Sequence, residues 1–69
     1  MFRNLIAEMA RAGYTYKAMA EKIGIGEVAY SKKINGKTNW TVTEMVIIQD
    51  ILNKELGTSY TLDYLFNKA

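Results

Sequence analysis

Residues 15–35 read TYKAMAEKIGIGEVAYSKKIN, two short helical stretches hinged at Gly24-Ile25-Gly26. Thr15 is the expected N-cap of the first, and Met19, Ala20 and Ile23 form its buried side. Gly24 has the backbone freedom to stop it. Ala20 is small where another helix has to come close. The second stretch runs from about Glu27 to Ile34, with Gly26 as a permissive N-cap and Glu27 in the first turn, against the positive end of the helix dipole. Asn35-Gly36 closes it. At about 100 degrees per residue, Glu27, Val28, Ser31, Lys32 and Asn35 share one arc, whereas Ala29, Tyr30 and Ile34 share the opposite one. One face belongs to the core, and the other meets something outside the chain.

Working outward, Phe2, Leu5, Ile6 and Met9 fall at i, i+3, i+4 and i+7, an apolar stripe on a first helix that Gly13 closes. On the other side, Thr41-Val42-Thr43-Glu44 fits a capping box, and Trp40 before it is placed to pack on Met45 as a hydrophobic staple. Met45, Ile47, Ile48, Ile51, Leu52 and Leu56 then cover nearly half the circumference of a long helix, which predicts that other helices pack on it. Gly57 ends it. Thr61 caps a last short helix that returns Leu62, Leu65 and Phe66 to the core. No strand-like alternation, internal repeat or low-complexity tract appears. The predicted fold class is all-α, a compact arrangement of five helices in one domain over residues 1–69.

Composition narrows the functions. A chain of 69 residues supports one domain with a small core. It has no cysteine and no histidine, so disulfides, thiolate metal sites and imidazole ligands are all unavailable, and neither a metal nor a cofactor is expected. Catalysis has little to work with either, because no carboxylate pair is evidently forced together. Only four residues separate Arg3 from Glu8, too few for the apolar core of a signal peptide. No apolar run approaches the roughly 18 residues of a membrane span. A cytoplasmic protein with no membrane partner is expected.

The formal charge is only +2, but its placement is uneven. Residues 1–27 carry four basic and three acidic side chains. Residues 28–43 hold Lys32, Lys33 and Lys37 with no acid, and from Glu44 onward two lysines face four acids. The positive region is the middle of the chain. Gly36-Lys37-Thr38 echoes the end of a phosphate-binding loop, but Ser31 stands where the first glycine is needed and a helix precedes it instead of a strand. Asn39-Trp40-Thr41 matches a glycosylation sequon, which has no meaning without secretion.

Taken together, residues 16–36 resemble the helix-turn-helix of the Cro/repressor-type (XRE-like) DNA-binding proteins common in phages. The small Ala20, the turn Gly24, the apolar Met19, Ile23, Ile25 and Tyr30, and the closing Asn35-Gly36-Lys37 sit at that family's spacing. Leu62-Asp63-Tyr64-Leu65-Phe66 resembles its last short helix. The resemblance implies a lambda-repressor-like five-helix domain with the helix-turn-helix as helices two and three. It also implies a small phage-type transcriptional regulator, a repressor, in a bacterial or phage-infected cell. Its partner would be double-stranded DNA, with the helix from Glu27 in the major groove and the helix from Tyr16 crossing the backbone.

Position by position, Glu27, Val28 and Lys32 match base-reading places, with Ser31 between them on the same arc. Lysine donates to guanine O6 and N7, glutamate accepts from cytosine N4, valine packs on a thymine methyl, and serine serves either donor or acceptor. The implied backbone contacts are Tyr16, Lys17, Lys33, Asn35, Lys37 and Asn39. Tyr16 stands where the family often has a phosphate-touching glutamine. Lys33 takes a place that is usually apolar, so either the helix is turned slightly or the side chain snorkels its ammonium out to phosphate. Gly26 replaces the usual Ser or Thr cap.

Plainer readings stand beside these. The lysine cluster is also what a solvated face looks like, Glu27 also suits the helix dipole alone, and Val28 is also an incidental exposed side chain. Trp40 reads as a staple or as a base-stacking aromatic. Tyr14, Tyr60 and Tyr64 suit either half-buried packing or partner contact. The family resemblance favours a homodimer on a two-fold operator with half-site centres about 34 Å apart. Leu56, Tyr60, Tyr64 and Phe66 are the candidate interface. Two other functions fit the same helices: a protein-interaction module of antirepressor or antitoxin-like kind, and an architectural or excisive protein that bends DNA.

Overall fold

Five helices follow one another in the computed structural model, which describes residues 1–68. They are α1 (Arg3–Ala12), α2 (Tyr16–Ile23), α3 (Glu27–Ile34), α4 (Val42–Leu56) and α5 (Leu62–Leu65). Among the described residues there is no strand, and no helix is long and apolar enough to cross a membrane.

Threonine caps fix where α2, α4 and α5 begin. Thr15 Oγ1 accepts from the Ala18 N–H at 3.0 Å and opens α2. At α4 both halves of the capping box form: Thr41 Oγ1 accepts from the Glu44 N–H at 3.1 Å, and Glu44 Oε1 accepts from the Thr41 N–H at 2.9 Å. Thr61 does the same service for α5, accepting from the Tyr64 N–H at 3.1 Å. Gly24 ends α2 at φ 81°, a left-handed conformation that costs other L-residues roughly 1–2 kcal/mol. The Ile25 N–H then donates back to the Ala20 carbonyl at 3.0 Å. This tight exit sets α3 across α2.

The core gathers Leu5 and Met9 of α1, Met19 and Ala20 of α2, Tyr30 and Ile34 of α3, Ile48 and Leu52 of α4, and Leu65 of α5. As expected, α4 is central, packing on α1, α2 and α5. Its sealed arc is narrower than its apolar pattern predicts. Only Ile48 and Leu52 are fully buried, Met45, Ile47, Ile51 and Leu56 are half-buried, and Val42 and Val46 face outward. The other helices gather on one side of α4, so an arc of half its circumference exceeds what they cover.

Two features were not legible from periodicity. Trp40 lines the same hollow as Met45, but its main neighbours are aromatic. Its ring meets Tyr30, Phe66 and Phe2 edge-on at centroid distances of 5.2, 5.4 and 6.3 Å, geometries that favour the ring quadrupoles. Its indole N–H is buried with no partner among the described residues. Trp40 is therefore spent on packing.

The second feature is Glu8, a carboxylate only 1% exposed on α1. Tyr64 donates its hydroxyl to Glu8 Oε2 at 2.8 Å, and Arg11 Nε lies 3.0 Å from Oε1. Burial pushes this carboxyl up, but hydrogen bonds from Tyr64 and Tyr60 and the Arg11 charge outweigh it and hold Glu8 below its ordinary value. The acid fastens α1 to the C-terminal segment.

Candidate nucleic-acid interface

The two faces of α3 divide as its sequence predicts. Tyr30 and Ile34 are wholly buried. Burial pushes the Tyr30 phenol well up, so it stays protonated and donates to Met9 Sδ at 2.9 Å. On the opposite arc Glu27, Val28, Lys32 and Asn35 are exposed, Val28 at 71%. Ser31 is half-buried between them, and its Oγ lies 3.4 Å from the Asn35 Nδ2 donor. A valine so exposed, on an arc otherwise made of hydrogen-bonding groups, gives that arc one apolar contact point.

Gly26 caps α3 with extended backbone and no side-chain hydrogen bond. The N-terminal end of the helix therefore carries little bulk. At the other end, the Lys37 N–H donates to the Lys32 carbonyl at 2.8 Å and the Gly36 N–H to the Lys33 carbonyl at 3.1 Å. These bonds close the last turn of α3 and start the loop after it. Lys37 and Asn39 on that loop are exposed. The Phe2 N–H reaches the Ile34 carbonyl at 3.3 Å, tying the end of α3 to the start of the chain.

On α2, Lys17 is exposed and Tyr16 half-buried. Tyr16 leans on Tyr30 with ring centroids 5.6 Å apart, which fixes its ring between core and surface.

Lys33 does not join this face. Its ammonium lies 3.0 Å from Glu44 Oε1 and donates to the Asn39 carbonyl at 2.9 Å, with the Trp40 ring centroid 6.0 Å away. Of the two orientations its position allows, the structure has neither a turned helix, since Tyr30 and Ile34 remain inward, nor an ammonium sent out to solvent. The side chain is only 15% exposed and links α3 to the first turn of α4. Glu44 answers it: burial pushes its carboxyl up, but the Thr41 N–H and Lys33 outweigh this and leave it below its ordinary value. To meet a phosphate Lys33 would have to abandon a shielded ion pair.

Lys68 is placed in the opposite sense. Segment charges assign it to the acidic end of the chain, yet it is folded against Gly36, beside Thr38 and Asn39. No local signal reveals this, because the contact depends on how α5 docks.

Of the dimer candidates, Phe66 is half-buried and edge-on to Phe2 and Trp40. Leu56 and Tyr60 are half-buried. Tyr64, 38% exposed, stacks on Tyr60 with centroids 4.9 Å apart.

No curated protein and no solved structure matches the chain. The model of the helix-turn-helix family matches residues 5–58, a span from the core of α1 through the whole of α4 that includes the exposed arc of α3. On that match and the geometry it covers, the chain belongs to the XRE-like helix-turn-helix family of DNA-binding transcription regulators.

Proposed function

We propose that this protein is a sequence-specific regulator that lays α3 in the major groove and reads base edges with Glu27, Val28, Ser31 and Lys32. The observation that carries the reading is the division of α3: Tyr30 and Ile34 are sealed in the core, while Val28, Lys32 and Asn35 are exposed. A helix held by one face and bare on the other is what a groove about 12 Å wide admits. Lys37, Asn35, Asn39, Lys17 and the Tyr16 hydroxyl flank it as backbone contacts. Lys33 leaves that set, since its ammonium is held by Glu44 and the Asn39 carbonyl. Two chains bind a two-fold site with half-sites about 34 Å apart. Tyr64, stacked on Tyr60, offers the exposed aromatic surface for that contact.

The test is a binding titration on duplexes selected from random DNA. Lys37→Ala should weaken every duplex alike and lower the salt slope by about 0.9 per chain. Lys32→Ala should instead erase preference at one base position, worth about 1–3 kcal/mol of discrimination. If neither changes DNA binding while a protein complex survives, the chain is an interaction module on the same helices.

A further inference from the structure

We propose that Lys68 is a DNA-phosphate contact of the α3 face, brought there from the far end of the chain to form a clamp with Lys37. This rests on the α3 reading above and adds a residue to it. A Cβ built on Gly36 would lie 2.9 Å from Lys68 Cε and 3.2 Å from its Nζ. The ammonium end of the side chain therefore rests on the Cα of Gly36, between Asn35 and Lys37. Gly36 sits at φ 81°, so the backbone at this position calls for glycine, while the neighbouring Lys68 end is flexible enough to shift.

The tail that carries Lys68 is directed by packing. Two residues earlier, Phe66 is wedged edge-on against Phe2 and Trp40, and its N–H donates to the Leu62 carbonyl at 2.8 Å. From that anchor the chain reaches the loop after α3, where Lys68 shares a hollow with Thr38 and Asn39.

The carbonyls at the end of α3 do not need this cation. Those of Ser31, Lys32, Lys33 and Ile34 already accept from the N–H groups of Asn35, Lys37, Gly36 and Phe2. What the ammonium does offset is the negative end of the helix dipole, which otherwise faces any phosphate strand passing the loop. Lys68 is exposed, as are Lys32 and Lys37. Lys33 is turned inward, so the middle segment by itself counts one lysine too many for the face, and the fold returns one from the C-terminal tail.

The test is fluorescence anisotropy with the full chain, on a selected duplex and on a scrambled one, from about 50 to 200 mM salt. Removing one phosphate-binding cation should cut the salt-induced fall in affinity over that range by roughly 3.5-fold, a slope change of about 0.9. Lys68→Ala should show this on both duplexes, with a thermal midpoint lowered by no more than the few degrees that losing a helix-dipole cation costs, and Lys68→Arg should keep both the original slope and the original midpoint. If Lys68→Ala keeps the original slope while Lys37→Ala lowers it, the phosphate role of Lys68 is refuted and the α3 face stands. If the unaltered protein shows no salt-dependent affinity for either duplex, the α3 reading falls and takes Lys68 with it.

Discussion

Three lysines lie within six residues of one another at 32, 33 and 37, and by charge alone they form one cluster. The fold does not. Lys32 and Lys37 are exposed, whereas Lys33 is shielded against Glu44, the Asn39 carbonyl and the Trp40 ring. Periodicity places Lys33 at the edge of the core arc, but its partner lies eleven residues on, in the first turn of another helix, where no i, i+3 or i, i+4 rule reaches. The consequence is a separation of effects. Lys33→Ala should lower stability by about 1.5–3 kcal/mol, the usual worth of a hydrogen bond to a charged group, and leave the salt slope of DNA binding unchanged. Chemical denaturation and a salt titration of the same variant check both halves. A lower slope with unchanged stability would show that Lys33 spends its time on phosphate instead.

At the scale of the elements, many helix boundaries were legible from signals beside them, threonines opening α2, α4 and α5 and glycines closing α1, α2 and α4. Thr15, Thr41 and Thr61 all cap as their positions predict. The ties between helices were not, because they join residues distant in sequence. Glu8 reaches the C-terminal segment through Tyr64, and Glu44 reaches α3 through Lys33. Both carboxyls lie below their ordinary value of 4.5 in the folded protein. Such groups stabilise the fold fully above the unfolded value, and their contribution is lost as pH falls through the lower folded one. Thermal midpoints should therefore hold steady from neutrality to about pH 5 and drop progressively below it. Glu8→Gln should lower the midpoint at neutral pH and flatten the acid limb, as followed by circular dichroism. An acid limb unchanged in Glu8→Gln would mean that the α1 tie contributes nothing to the pH dependence.

For the whole molecule, the centrality of α4 and the outward arc of α3 followed from pattern alone, since an amphipathic helix declares which side it buries. The return of the C-terminal tail to the loop after α3 did not, because it depends on an aromatic cluster of Phe2, Trp40 and Phe66 drawn from three separate parts of the chain. That cluster also closes the N-terminus onto Ile34, so α3 is held at both ends and on one side, and only its outer face is left to meet a duplex. The most direct measurement is the change in backbone amide NMR signals when a duplex selected from random DNA is added. The largest changes should fall on residues 27, 28, 31, 32 and 35 and on the loop from 36 to 39, with α4 beyond its first turn little affected. Changes concentrated on the outer side of α4, around Val42 and Val46, with α3 unmoved, would contradict it.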